Sequence, residues 1–115
     1  MNWFKLVDVT WEAIGSGTVF RMNSVSPYES LVDFMVVDIP GDERPFALVV
    51  STGRKAGRIL VKLPPDALWS EGHGLSLPWI VENWAKWIYP ECPVEEVLIL
   101  PNYEIDGAEE FPLIV

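Results

Sequence analysis

Three groupings of side chains in this 115-residue chain could in principle do chemistry. The first is Ser51-Thr52-Gly53-Arg54-Lys55-Ala56-Gly57-Arg58, a basic cluster between glycines. Its backbone N–H groups and Lys55 could cradle a phosphate. Its order departs from G-x-x-x-x-G-K-[ST], because the lysine precedes the second glycine, and no helix is predicted to start there and add its dipole. A hairpin loop with glycines for positive φ and basic groups in water accounts for the same residues. The second grouping is His73 with Cys92, the only histidine and the only cysteine. Zinc needs four such ligands, or three and a water. A Cys/His nucleophile pair is formally available, but Cys92 lies between Glu91 and Pro93 with acids nearby, and negative neighbours suppress the thiolate. The third is the carboxylate pairs. Read as part of a strand, Glu95 and Glu96 point to opposite faces, a poor geometry for shared acid–base work. Glu109 and Glu110 lie in a tail. No catalytic residue, metal site or cofactor is expected.

Charge is distributed unevenly. Residues 1–65 carry seven acidic and seven basic side chains. Residues 66–115 carry ten acidic ones against a single base, Lys86, which accounts for the whole net charge of −9. Such a field attracts a basic partner and repels nucleic acid, whose phosphates want Lys or Arg. Half of the residues are apolar, so a packed core is expected rather than disorder. The chain has the length of one domain, residues 1–115, with an acidic tail at 106–115. It contains no 18-residue apolar run, so no membrane span is expected. It starts without a signal pattern and has no second cysteine for a disulfide, which together point to the cytoplasm. Six tryptophans are a high number. Core filling accounts for most of them, and one or two could serve as surface anchors.

The elements that must position these groups follow from periodicity. Strands are expected at 3–9, 18–22, 31–39, 46–52, 58–63 and 94–100, with 103–105 continuing the sheet after a bend at Pro101. The segment 31–39 is apolar on both faces, so it belongs in the middle of a sheet. Residues 66–69 suit a single helical turn. Ser76 is placed to cap a helix over 77–89 whose stripe is Leu77, Ile80, Val81, Trp84, Trp87 and Ile88, ended by Pro90. Hairpin-length connections imply α+β architecture: a mainly antiparallel sheet of about six strands with one principal helix on one face.

Several of these segments resemble one family. They are Ser51-Thr52-Gly53-Arg54-Lys55-Ala56-Gly57 with Ile59-Leu60-Val61-Lys62-Leu63-Pro64, and Leu77-Pro78-Trp79-Ile80-Val81-Glu82-Asn83-Trp84-Ala85-Lys86-Trp87-Ile88-Tyr89-Pro90-Glu91-Cys92. Looser matches are Gly17-Thr18-Val19-Phe20-Arg21, Pro27-Tyr28-Glu29 and Val32-Asp33-Phe34-Met35. Over most of residues 17–100 the chain resembles the bacterial polymorphic-toxin immunity proteins of immunity protein family 45. The resemblance implies a small cytoplasmic α+β protein, without catalysis, that binds and neutralises a toxin delivered between competing cells. It supplies no site residues and leaves the toxin unnamed.

Charge complementarity makes the acids Glu91, Glu95, Glu96, Glu104 and Asp106 the expected toxin-facing groups, with Trp69 or Tyr103 as an anchor. The partner is then a toxin domain with a basic surface, not nucleic acid and not a membrane. Two other readings stay open. The loop at 53–57 could bind a small anionic ligand or serve an enzyme, which alanine at Arg54 and Lys55 would abolish. The apolar tail at 111–115 could join copies of the chain as an adaptor, which deleting it would reveal in the mass in solution.

Overall fold

In the computed structural model, which describes residues 2–24 and 30–104, eight strands form two sheets. The main sheet contains β1 (Phe4–Lys5), β3 (Val19–Asn23), β4 (Leu31–Asp38), β5 (Phe46–Val50), β6 (Ile59–Lys62) and β8 (Leu98–Leu100). Its order is β1-β8-β3-β4-β5-β6, and every neighbouring pair is antiparallel. The small sheet pairs β2 (Ala13–Ile14) with β7 (Leu75–Ser76). The fold is therefore α+β with a six-stranded antiparallel sheet, as the connection lengths require. β3 and β4 are central, in keeping with the mostly apolar faces expected of segment 31–39.

Alternation assigns the faces. Phe20, Met22, Phe34, Val36, Phe46, Leu48 and Ile99 point one way and join the core cluster with Leu6, Leu77, Ile80, Trp84 and Ile88. Burying such side chains contributes roughly 1.5–3 kcal/mol each. α1 (Leu77–Asn83) lies on this face and runs directly into a π-helical turn at Trp84–Ile88. Ser76 caps α1 as its type predicts, its Oγ accepting from the Trp79 N–H at 3.3 Å. The π turn closes with the Tyr89 N–H donating to the Trp84 carbonyl at 3.0 Å. It presents Trp84 edge-on to Phe20, with ring centroids 5.4 Å apart, and Tyr89 edge-on to Phe34, at 5.6 Å.

Three expected elements come out differently. The strand expected over 3–9 keeps only Phe4–Lys5, because Leu6 turns into the core within a 3-10 turn at Leu6–Asp8. The strand expected from residue 94 starts at Leu98. Val94–Glu96 is a 3-10 turn after Pro93, held by Glu96 N–H to Pro93 O at 2.9 Å and Val97 N–H to Val94 O at 3.2 Å. Glu95 and Glu96 therefore do not alternate across a sheet; both are exposed on that turn. The strand expected over 46–52 ends at Val50, after which Ser51 and Thr52 use their hydroxyls for side-chain bonds. The possible strand at 103–105 reaches only Tyr103 and Glu104 among the described residues, and neither is in a strand. Residues 105–115, which hold the tail, lie outside them.

Candidate functional site

The acidic groups gather first at the β1–β8 end of the sheet. The turn Leu6–Asp8 packs beside the turn Val94–Glu96, and the Leu6 N–H donates to the Val97 carbonyl at 2.9 Å. Asp8, Glu12, Glu91, Glu95 and Glu96 are all exposed there. Of the expected toxin-facing acids, Glu95 and Glu96 lie on the turn that packs beside the one carrying Asp8; Glu91, before that turn, and Glu12 of the N-terminal segment are exposed as well. Sequence reasoning missed Asp8 and Glu12 because residues 1–65 balance to zero as a block, which hides a local acidic stretch. Glu104 is exposed beyond β8, and Asp106 lies outside the described residues.

On the sheet face opposite the helix lies a polar cluster. Asp33, on β4, is completely buried. Register places Arg21 of β3 directly across from it. Arg21 donates twice, from Nε to Oδ1 at 2.8 Å and from Nη2 to Oδ2 at 3.0 Å. Tyr103 donates its hydroxyl to Asp33 Oδ2 at 2.6 Å, so its 2.9 Å contact with Ser51 is one in which Ser51 Oγ–H donates. The Asp33 N–H is received by Thr52 Oγ1 at 2.9 Å. Trp3 lies under the guanidinium, 4.1 Å from ring centroid to Cζ, a cation–π geometry. The hydrogen bond to Asp33 raises the Arg21 pKa further. Burial, then the bond to Asp33, pushes the Tyr103 phenol up. Chemically this cluster is a clamp. It fastens the segment after β8 to the sheet, and both carboxylate oxygens accept from the chain itself. Tyr103, expected as an anchor for a partner, has its hydroxyl inside this clamp.

Trp69, the other expected anchor, is half-buried, its backbone N–H donating to the Gly74 carbonyl at 3.0 Å, and an added Cβ at Gly72 would meet its ring at 2.9 Å. Of the six tryptophans expected mostly to fill the core, Trp84 alone is fully buried, and Trp3 and Trp69 are half-buried outside the core cluster. Trp11, Trp79 and Trp87 pack against the core half-exposed. Trp79 and Trp87 have ring centroids 6.0 Å apart, with Arg44 5.9 Å over Trp87.

The basic loop at 53–57 is a β5–β6 hairpin loop, with φ of +69° at Gly53 and +93° at Gly57, values that glycine adopts without strain. The amides of Ala56, Gly57 and Arg58 donate to the carbonyls of Gly53, Val50 and Lys55. Three donors a phosphate would need are therefore used within the hairpin. His73 and Cys92 have separate partners. His73 Nε2 lies 2.7 Å from Asp38 Oδ2, and buried Cys92 directs Sγ–H to the Pro93 carbonyl at 3.5 Å. Burial first, and Glu96 second, push the thiol pKa up, opposite to the activation a nucleophile needs. Among the described residues no group of three or more His, Cys, Asp or Glu side chains could hold a metal ion, and no helix is long and apolar enough to cross a membrane.

The described residues form a mainly antiparallel α+β domain with one helix on one face of its six-stranded sheet. The family model described as immunity protein 45 matches residues 6–99, and the chain belongs to that family. Immunity proteins as a class neutralise toxins and are in general non-catalytic. No curated protein and no solved structure matches the chain.

Proposed function

We propose that this chain is a non-catalytic, cytoplasmic immunity protein that binds a cognate bacterial toxin domain through its acidic surface, in competition between bacterial cells. The observation that carries the reading is the family match over residues 6–99 together with the acidic excess of residues 66–115. A net charge of −9 steers a basic partner and raises its association rate without fixing the final affinity. The proposed contact acids are Glu91, Glu95, Glu96, Glu104 and Asp106, with Trp69 or Tyr103 as an aromatic anchor. No cofactor takes part.

The test is a pull-down with tagged chain from lysate of the source cell, at low and at high salt, followed by growth rescue. A stoichiometric partner whose toxic domain arrests growth alone, and is silenced by this chain, is the expected result. Reversal of charge at Glu95, Glu96 and Glu104 together is expected to slow association about tenfold at low salt. An unchanged on-rate would remove the acidic surface from the reading, and a toxin that still arrests growth would remove the reading itself.

A further inference from the structure

The β1 edge of the sheet carries exposed apolar side chains on a segment that also carries exposed acids. Phe4 is 45% exposed and Val7 40% exposed, two of the most exposed large apolar side chains among the described residues. Phe4 sits edge-on to Trp11, centroids 6.0 Å apart at 79°. From Trp11 a shallow groove of about 390 Å³ continues along Ala13, Ile14, Ser16 and Thr18 to Pro101. The segments 4–12 and 91–96, whose 3-10 turns at Leu6–Asp8 and Val94–Glu96 pack together, carry five acids, Asp8, Glu12, Glu91, Glu95 and Glu96, against one base. That base, Lys5, stands opposite Leu98, on the sheet face away from Phe4 and Ile99.

Apolar centre and charged rim are the two halves of an interface. Fully desolvated aromatic anchors carry most of the binding energy, and rim charges set encounter rate and exclude wrong partners. An exposed aromatic contact on an acidic segment also matches a particular chemistry. Arg and Lys head groups are attracted to the faces of Phe and Trp and pair with the acids beside them. A second copy of this end would bring five acids against five and be repelled.

We propose that the Phe4–Val7–Trp11 patch and its groove are the docking surface for an arginine- and lysine-rich face of the toxin domain. This rests on the toxin-neutralising reading above.

The test uses the full chain and, as probe, the toxin domain that the wild-type chain silences in the growth experiment. Three variants are compared with wild type by binding kinetics: Phe4→Ser with Val7→Ser, Asp8→Lys with Glu12→Lys, and Ile59→Ser at the far β6 edge. The apolar pair of substitutions is expected to raise Kd about 30-fold, mainly through faster dissociation. The charge reversals are expected to lower the on-rate about tenfold at low salt, with the difference shrinking as salt rises. Ile59→Ser is expected to bind as wild type. All sites are exposed, and thermal melts check that the fold persists. A toxin domain bound equally well by wild type and by both patch variants refutes the patch while leaving the immunity reading standing. Absence of any silenced toxin overturns that reading, and the patch with it. Patch variants that change the mass of the chain in solution but not toxin binding make the patch a self-contact and also refute the proposal.

Discussion

A carboxylate as deeply buried as Asp33 is tolerable only while its partners remain, since an unpaired buried charge costs several kcal/mol. Arg21 is partly exposed and can turn to water when the pair is broken, which moderates the loss. Asp33→Ala is expected to destabilise by about 2–4 kcal/mol and Tyr103→Phe by about 1.5–3 kcal/mol. The two share one bond, so the double variant should lose less than the sum of the singles by about 0.5–3 kcal/mol. Denaturant unfolding of the four proteins measures this, and strict additivity would show that the 2.6 Å contact carries no energy. Two raised pKa values also predict the alkaline limb. A neutral acid favoured by the fold holds its proton after the unfolded chain has released it, so stability falls with pH in that interval. The fall should begin near the ordinary thiol value of 9.0 through Cys92 and steepen near the ordinary phenol value of 10.0 through Tyr103. Cys92→Ser should remove the first part and Tyr103→Phe should flatten the second. The same burial predicts that Cys92 reacts with a thiol reagent at pH 8 only on the unfolding timescale. Labelling as fast as that of a free peptide thiol would contradict it.

Among the elements, the helix start is the most local device. Ser76→Ala removes the oxygen that receives the Trp79 N–H, an expected loss of about 1 kcal/mol and about 4 °C in Tm. A thermal melt checks it, and an unchanged Tm would mean that Pro78 and tertiary packing hold the first turn without the cap. This cap was legible in the sequence, as were β3, β4, β5 and β6, because each joins a sustained periodicity to a turn residue. The two-residue strands β2 and β7 were not. Two residues show no period, and Ala13 pairs with Ser76 only because the core draws both segments together. Val94–Glu96 looked like strand because it leads into Leu98–Leu100, yet adjacent glutamates have no apolar face to bury and favour an exposed turn. The π turn was invisible for a different reason. The stripe of Trp84, Trp87 and Ile88 predicts burial, but its widened winding is set by what Trp84 and Tyr89 must reach on the sheet. Asp33 was visible as an acid within an apolar strand that Asp38 ends. Its partner Arg21 needed the β3–β4 register, and Tyr103 needed the path of the chain after β8. Likewise the acids Glu91, Glu95 and Glu96 could be chosen from the charge excess, whereas the exposure of Phe4 and Val7 appeared only in the fold.

At the scale of the whole molecule, charge that helps one equilibrium opposes another. A chain of net −9 repels itself in the folded state, and the unfolded state spreads the same charge over a larger volume. Added salt screens that repulsion, with a Debye length falling from about 30 Å at 0.01 M to about 8 Å at 0.15 M. The urea midpoint is therefore expected to rise with sodium chloride over that range. Glu95→Lys with Glu96→Lys removes four units of negative charge from the acidic end, and both positions are exposed on a turn without a resolved ion pair of their own among the described residues. This variant is expected to be as stable as wild type or slightly more so, within about 0.5 kcal/mol, and less dependent on salt. If the acidic end steers a basic toxin, the same variant associates about tenfold more slowly at low salt. Opposite signs in the two measurements are the mark of acids retained for a partner rather than for the fold. A variant that lost stability and kept its on-rate would assign Glu95 and Glu96 to the fold instead, and urea titrations beside stopped-flow association at two salt concentrations separate the cases.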